Sequence, residues 1–145
     1  MKYLYILIVL ALLVGVVYYL NLDDSTMSAE LPNLIRLTSP LPNEAIKSPL
    51  KITGEARGYW FFEATFPVVL TDWDGKIIAQ HYAEAQLDPN DENSTWMTED
   101  FVPFEAILEF EQPIYGERGS LILQKDNPSG LTEHDNALEI SIRFK

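Results

Sequence analysis

The clearest pattern in the chain is an alternation of apolar and polar residues that recurs after residue 33. In residues 62–71, 104–110 and 138–144, nearly every second residue is apolar and most of the others are polar. Because successive side chains of a β-strand point to opposite faces, this period predicts strands with one buried and one solvated face. Further, shorter strands are predicted at residues 34–37, 50–56, 76–82 and 120–125.

Turn-forming residues separate the predicted strands. Asp74-Gly75 stands between two of them, as in a tight β-hairpin. Pro67 lies inside a strand pattern and predicts an edge position or a bulge, because proline cannot donate a ladder hydrogen bond. No convincing helical period occurs after residue 33. About seven strands in roughly 110 residues are typical of a β-sandwich, so the predicted fold class is an all-β sandwich.

The N-terminal segment has a different pattern. Residues 3–20 contain no charged residue, and 18 helical residues span about 27 Å, close to the thickness of a bilayer core. A cleaved signal peptide is the main alternative, but its apolar region is usually shorter and is followed by small residues. Tyr18, Tyr19 and Asn21 occupy those positions here. The segment therefore favours an uncleaved transmembrane helix.

The distribution of charge orients this predicted anchor. Lys2 and the α-amino group precede the apolar segment and are the only positive charges near it, so the positive-inside rule keeps the N-terminus in the cytoplasm. The expected localisation is a single-pass cell-membrane protein with its C-terminal domain outside the cytoplasm. The predicted organisation is an anchor at residues 1–22, a linker at residues 23–33 and a β-sandwich at residues 34–145.

The chain is strongly acidic. Its formal net charge is −12, and residues 77–117 contain ten acidic residues but no Lys or Arg. We therefore do not expect the chain to bind nucleic acid, because such binding depends on Lys and Arg contacts to phosphate. A solvated acidic face is the simpler interpretation, and a site for a cation or a basic partner is the alternative. The chain also lacks cysteine, which excludes disulfides, a lipoprotein anchor and thiol catalysis.

Several motifs after residue 38 resemble the immunoglobulin-like domain of bacterial spore germination. They are Ser39-Pro40 with Pro42-Asn43, Ser48-Pro49-Leu50, Gly54-Glu55-Ala56, the aromatic stretch 60–64, the hairpin 69–75 and the strand 104–110. The resemblance extends over residues 34–144. It implies an immunoglobulin-like sandwich in an exported bacterial protein, with no catalytic residues to carry over. The chain departs from the family at Asn43, where glycine is usual, and at Pro128-Ser129-Gly130 with the irregular stretch that follows.

Catalysis is not expected from the residues themselves. The two histidines are His81 and His134, and no serine lies in a Gly-x-Ser-x-Gly elbow. Paired carboxylates occur by number alone in a chain with 22 acidic residues. The expectation is a protein that is not an enzyme and needs no cofactor. A small cell-wall hydrolase is the alternative. It requires a cleft where His81 or His134 meets a carboxylate and a hydroxyl, or where two carboxylates face each other.

The acidic stretch near residue 90 is the one candidate metal site. Asp88, Asn90, Glu92 and Glu99 echo the ligand spacing of a calcium-binding loop. However, Asn93 occupies the position that needs glycine, and no flanking helices are predicted. A solvated loop is therefore the favoured interpretation, with a weak calcium site as the alternative.

Aromatic residues are the candidate binding residues. They are Tyr59, Trp60, Trp73 and Trp96. Residues 59–62 are all aromatic, and strict alternation in a strand would bury only two of them. Burial in the core or packing on the rim of the sandwich is the competing interpretation for each.

The sequence as a whole predicts a membrane-anchored binding or structural module outside the cytoplasm. Protein–protein contact is favoured, and binding of cell-wall glycan is the alternative. Glycan binding predicts two exposed, coplanar aromatic rings. Protein binding predicts a wider mixed patch that is apolar at its centre.

Overall fold

The computed structural model describes residues 31–145, and this part of the chain contains eight β-strands and three short 3-10 turns. The strands are β1 (Ile35–Ser39), β2 (Ala45–Ile46), β3 (Leu50–Arg57), β4 (Thr65–Asp72), β5 (Ile77–Ala85), β6 (Phe101–Leu108), β7 (Arg118–Gln124) and β8 (Ala137–Phe144). The 3-10 turns are Leu31–Asn33, Gly58–Trp60 and Thr132–His134. The all-β prediction is confirmed for the described residues.

The eight strands form one sheet in the order β1-β3-β6-β5-β4-β7-β8-β2. Each neighbouring pair is antiparallel except β2 and β8, which are parallel. β5 links the two halves of the sheet. It pairs with β4 from Ile77 to Glu84, but its pairing with β6 is restricted to Glu84 and Ala85. The sheet curls at this junction, where β5 leaves β6.

The core lies on one face of the curled sheet. Phe66 of β4 and Phe104 of β6 meet edge to face, with ring centroids 4.9 Å apart, although β5 separates their strands in the sheet. Phe61 adds a third ring, 5.2 Å from Phe66. Alternate residues of β6, from Val102 to Leu108, are buried around these rings. The alternation of apolar and polar residues in this part of the sequence therefore matches the alternation of buried and more exposed side chains in β6, as expected for a strand with one solvated face.

All seven predicted strands form, and the structure adds the two-residue strand β2. Pro67 lies where β4 has a neighbour on one side only, since β7 pairs with β4 from Val68 to Asp72. This arrangement agrees with the expected local edge, because the missing N–H breaks no ladder there. Asn43 has a φ of 63°, a left-handed conformation that glycine adopts freely and that asparagine tolerates.

The start of β4 differs from the prediction. The alternation beginning at Phe62 predicted a continuous strand, but Phe62 and Thr65 instead exchange backbone hydrogen bonds across a two-residue turn. Glu63 and Ala64 occupy this turn with φ values of 49° and 63°. Two consecutive left-handed residues are typical of a type I′ turn, which usually contains Asn and Gly. The turn was missed because neither residue has the usual turn chemistry.

Replacing Ala64 with glycine is expected to stabilise the protein. An alanine in the left-handed region costs about 1–2 kcal/mol, and the greater freedom of glycine in the unfolded chain offsets about 0.4–1 kcal/mol of that gain. We expect Ala64→Gly to raise the free energy of unfolding by roughly 0.5–1 kcal/mol in urea denaturation of the full chain in mild detergent. Ala79→Gly in β5 is the matched control and should destabilise. A similar loss in both variants would contradict the assignment of strain to this turn.

The predicted anchor, residues 1–22, and most of the predicted linker, residues 23–33, lie outside the described residues. Among residues 31–145, no helix has both the length and the apolar character needed to cross a membrane.

Candidate functional site

The β4–β5 hairpin forms one wall of a surface groove. Asp72 ends β4, and its Oδ1 accepts hydrogen bonds from the backbone N–H groups of Asp74 and Lys76, both at 3.0 Å. Gly75 completes the turn with a φ of 77°, which fits the predicted Asp-Gly hairpin. This tight turn places Trp73 at the tip, where its side chain extends beyond the sheet.

The segment after β6 forms the opposite wall. Residues 111–115 line the groove and lead to Gly116, which has a φ of 86°. A Cβ atom at Gly116 would lie only 2.3 Å from Cδ1 of Trp73, so the indole ring rests against the backbone of this glycine. The contact holds the hairpin tip and the β6–β7 connection together.

Four large apolar side chains are exposed around this groove, which has a volume of about 660 Å³. Their exposed fractions are 63% for Trp73, 55% for Ile77, 88% for Ile114 and 79% for Tyr115. The carboxylates of Asp72, Asp74 and Glu111 border them, and Lys76 is the cationic residue of the lining. We call this set of lining residues, 72–74 and 76–78 with 111–115, the hairpin groove. Its mixture of apolar and acidic side chains suits a partner that carries both apolar and basic groups.

The aromatic stretch 59–62 does not form a binding surface of the expected kind. Trp60 and Phe61 are buried, with exposed fractions of 0% and 4%, whereas Tyr59 and Phe62 are exposed. Two neighbouring rings are buried because Gly58–Trp60 forms a 3-10 turn, which does not direct successive side chains to opposite sides. In this structure the Trp60 side chain therefore has no face available to a partner.

Trp96 and Tyr59 lie together at the end of β4 that is remote from the hairpin groove. The carbonyl oxygen of Trp96 approaches Gly58, beside Tyr59, and the Trp96 side chain is half-buried. Trp73 follows the other end of β4. A strand of eight residues extends about 26 Å. The four predicted aromatic residues therefore do not share one face, and Trp73 is the one that lies in the hairpin groove.

One comparison with known proteins gives a match. The family model for the immunoglobulin-like domain of bacterial spore germination matches residues 34–131. The chain belongs to this family. This confirms the resemblance seen in the sequence, and the family is one of immunoglobulin-like domains rather than a known enzyme family. No curated protein and no solved structure matches the chain.

The family match ends before the last strand. It covers β1 to β7 and stops at residue 131, within the region where the sequence departs from the family. β8 lies beyond the matched residues, yet it pairs with β7 from Arg118 to Gln124 and buries Ile140 and Ile142. This member of the immunoglobulin-like family therefore completes its sheet with a strand outside the matched region.

The acidic stretch does not assemble into a metal site. Within residues 31–145, no group of three or more His, Cys, Asp and Glu side chains is arranged to hold a metal ion. Asp88 Oδ1 accepts hydrogen bonds from the backbone N–H and the side-chain amide of Asn90, at 2.8 and 3.2 Å. Asp91 makes the same contacts with Asn93. These carboxylates organise two successive Asx turns, and Glu92 and Glu99 are exposed.

The histidines lie apart from the hairpin groove. His81 Nδ1 accepts a hydrogen bond of 2.7 Å from the backbone N–H of Tyr82. His134 Nε2 lies 3.9 Å from Oε1 of the exposed Glu133 carboxylate. The histidine form of the hydrolase alternative requires a histidine beside a carboxylate and a hydroxyl in a cleft, and these contacts do not supply that combination.

The sequence points to one of the four exposed apolar residues of the hairpin groove, Trp73. Ile77 falls within the predicted strand 76–82, and no regular pattern singles out Ile114 or Tyr115. A usable signal was present: residues 113–115 place isoleucine and tyrosine directly after proline in a stretch without alternation. Large apolar residues in such a connection have no regular core position, which makes them candidates for an exposed apolar patch.

Proposed function

We propose that this chain is a membrane-anchored binding module outside the cytoplasm and that the hairpin groove holds a protein partner. One observation carries the proposal. Of the twelve large apolar side chains that are exposed in residues 31–145, four border this single groove. Scattered apolar residues are normal on a protein surface, whereas a contiguous set bordered by polar residues marks an interaction site.

The composition of the groove supports a protein partner over a glycan. The expected glycan site consisted of two coplanar rings drawn from Tyr59, Trp60, Trp73 and Trp96, and these residues do not share a face. The groove instead combines two aromatic rings with Ile77, Ile114 and a border of carboxylates. Aromatic anchors with an apolar centre and a polar rim are the usual composition of a protein interface.

The anchored location rests on the sequence. Residues 3–20 are uncharged and long enough to cross a bilayer core, and Lys2 precedes them. A domain on the outer side of the membrane with an exposed groove is suited to hold a second protein near the membrane surface. The family description, which refers to spore germination, agrees with a role at a bacterial cell surface.

The proposal is tested by removing the two aromatic rings of the hairpin groove. We expect the full chain to capture a partner from membrane fractions of its own source. The groove variant combines Trp73→Ala with Tyr115→Ala, and it should capture this partner at least about thirtyfold more weakly. That factor corresponds to the loss of about 2 kcal/mol or more that is usual for hot-spot residues. Both rings are largely exposed and lie outside the core, so the variant should remain folded, with the circular dichroism spectrum of the unmodified chain.

The matched control is Tyr59→Ala with Phe62→Ala, which removes two exposed aromatic residues from the remote end of β4. Equal retention by the unmodified chain and the groove variant would contradict the proposal. If the unmodified chain bound protein-free cell-wall polysaccharide and the groove variant did not, the assignment would change to glycan binding.

A further inference from the structure

The outer edge of β5 is open along most of its length. β4 pairs with β5 from Ile77 to Glu84, whereas β6 pairs with it only at Glu84 and Ala85. In the described part of the chain, no strand pairs with residues 77–83 on the side away from β4. A strand with one free side presents N–H and C=O groups to which another extended chain can bond.

The direction of the backbone groups on this edge follows from three hydrogen bonds. Gln86 N–H donates to the Pro103 carbonyl of β6, and Ala85 N–H donates to the Ala64 carbonyl on the β4 side. Because successive residues alternate in direction along an antiparallel strand, Gln80 and Tyr82 direct their N–H groups away from β4. The Tyr82 N–H donates a hydrogen bond to the ring of His81. The Gln80 N–H is therefore the central backbone donor that remains open on this edge.

This edge lacks the features that usually protect a sheet edge. Natural proteins place charged residues or proline on exposed edges, or make the edge strand very short. β1, the outer strand of one half, contains Arg36 and is followed by Pro40, and β2, at the other end, has two residues. Residues 77–83 contain no Lys, Arg, Asp, Glu or Pro, although Ile77 and Tyr82 are exposed. An unprotected edge in a protein with protected outer edges indicates a functional contact.

The hairpin groove lies directly beside this edge. Ile77 and Ile78 at the start of β5 line the groove, and residues 111–115 face them from the segment that follows β6. The space left where β5 separates from β6 therefore opens into the groove. An extended segment placed along β5 would have the open edge on one side and Ile114 and Tyr115 on the other.

Charge identifies the kind of segment that fits. The groove contains three carboxylates and one ammonium group, and residues 77–117 contain no Lys or Arg. A second copy of this chain carries a formal charge of −12 and would be repelled. The chain's own residues 1–30 have one basic residue against three acidic ones. Charge complementarity thus favours a different protein with a basic segment.

We propose that the partner contributes an extended segment, with apolar and basic residues in alternation, that adds to the open edge of β5 as a further strand. This inference rests on the proposed function of the hairpin groove and specifies the form of its ligand. Main-chain hydrogen bonds to β5 supply affinity, and alternate side chains enter the groove. The apolar residues contact Trp73 and Ile114, and the basic residues face Asp74 and Glu111.

A peptide of ten alternating valine and lysine residues is the probe. We expect it to bind the full chain in mild detergent, measured by calorimetry, and to slow hydrogen exchange of the Gln80 amide. Methylation of alternate backbone nitrogens removes the main-chain donors without changing the side chains, and should weaken binding at least about tenfold. A peptide of alternating valine and glutamate, the matched control, should not bind measurably.

A protein variant provides the complementary test. Gln80→Pro removes the outward N–H but no hydrogen bond to β4, so an edge strand accommodates it, and it should weaken binding of the valine–lysine peptide at least about tenfold. Gln80→Ala keeps the N–H and should bind normally. If Gln80→Pro does not fold, the methylated peptide still decides the question.

The outcomes separate this inference from the proposed function. Equal binding of the methylated and unmethylated peptides, lost in Trp73→Ala, would overturn strand addition while leaving the groove as a binding site. Failure of the valine–lysine peptide to bind would also overturn strand addition. Retention of the natural partner by the groove variant in the fractionation experiment would instead overturn the proposed function itself.

Discussion

Replacing Trp60 with alanine should destabilise the protein by about 3–5 kcal/mol, the usual cost of removing a buried tryptophan side chain. Trp60 is the largest side chain among the fully buried residues of the described chain, with no exposed area. Its backbone carbonyl accepts a hydrogen bond from the Asp126 N–H at 3.0 Å, which ties the turn before β4 to the end of β7. Since a domain of this size is stable by only about 5–15 kcal/mol, this loss is a large fraction of the total.

Replacing Trp60 with phenylalanine separates the apolar contact of the indole ring from the effect of its N–H group. In the described residues, Trp60 Nε1 is buried without a hydrogen-bond partner. Trp60→Phe removes this unsatisfied donor and keeps most of the apolar contact, so its cost should be well below that of Trp60→Ala. Urea denaturation followed by circular dichroism measures both. Tyr59→Ala, at the exposed neighbour, should change stability by less than about 0.5 kcal/mol, and an equal loss for Tyr59→Ala and Trp60→Ala would contradict the burial assignment.

The burial of Trp60 shows how far the alternation of residues predicts this fold. In β6 the prediction of the buried face is correct, because the period of two is a direct consequence of strand geometry. In β4, Val69 and Thr71 of the predicted solvated face are buried as well. The prediction fails at residues 59–64, where a 3-10 turn and a tight turn interrupt the strand. Neither turn contains the residues that usually mark one, since Glu63 and Ala64, which are left-handed here, are not residue types that favour this conformation.

The candidate site was harder to predict than the fold. Trp73 could be located because it occupies the tip of a hairpin with an Asp-Gly turn, a local feature. Ile114 and Tyr115 are about 40 residues away and approach Trp73 through a contact with Gly116. The open edge of β5 depends on which strands are neighbours in the sheet and where β5 leaves β6. Such long-range pairings do not follow from the local pattern of a single sequence.

Gly58→Ala should be strongly destabilising even though the residue is neither in a strand nor in the left-handed region. A Cβ atom at this position would lie 2.0 Å from the carbonyl oxygen of Thr98 and 2.3 Å from that of Trp96. Both contacts are to backbone, so no side-chain rotation relieves them. Gly58 N–H also donates to the Asp100 carbonyl at 3.1 Å. We expect a loss of about 2–3 kcal/mol, at the upper end of the usual cost of overpacking.

The neighbouring contacts predict how the protein responds to this substitution. Arg57 holds the far side of the same segment, because its Nη1 donates to the Glu99 carbonyl at 3.1 Å and its guanidinium lies 4.0 Å from the Phe101 ring centroid. The segment therefore cannot shift as a rigid unit, and residues 96–98 should detach locally from the turn at Gly58. The indole N–H resonance of Trp96 in a proton–nitrogen NMR spectrum should report this change, while that of Trp73 stays in place.

Gly130→Ala is the matched control for Gly58→Ala. Gly130 has a φ of 66° and no atom within 4 Å of an added Cβ, so alanine there meets backbone strain of about 1–2 kcal/mol without a clash. It should lower stability less than Gly58→Ala does and leave the Trp96 resonance unchanged. If Gly58→Ala retained full stability and an unshifted Trp96 resonance, the close packing of residues 96–98 on this turn would be wrong. The half-burial of Trp96 would then need another cause.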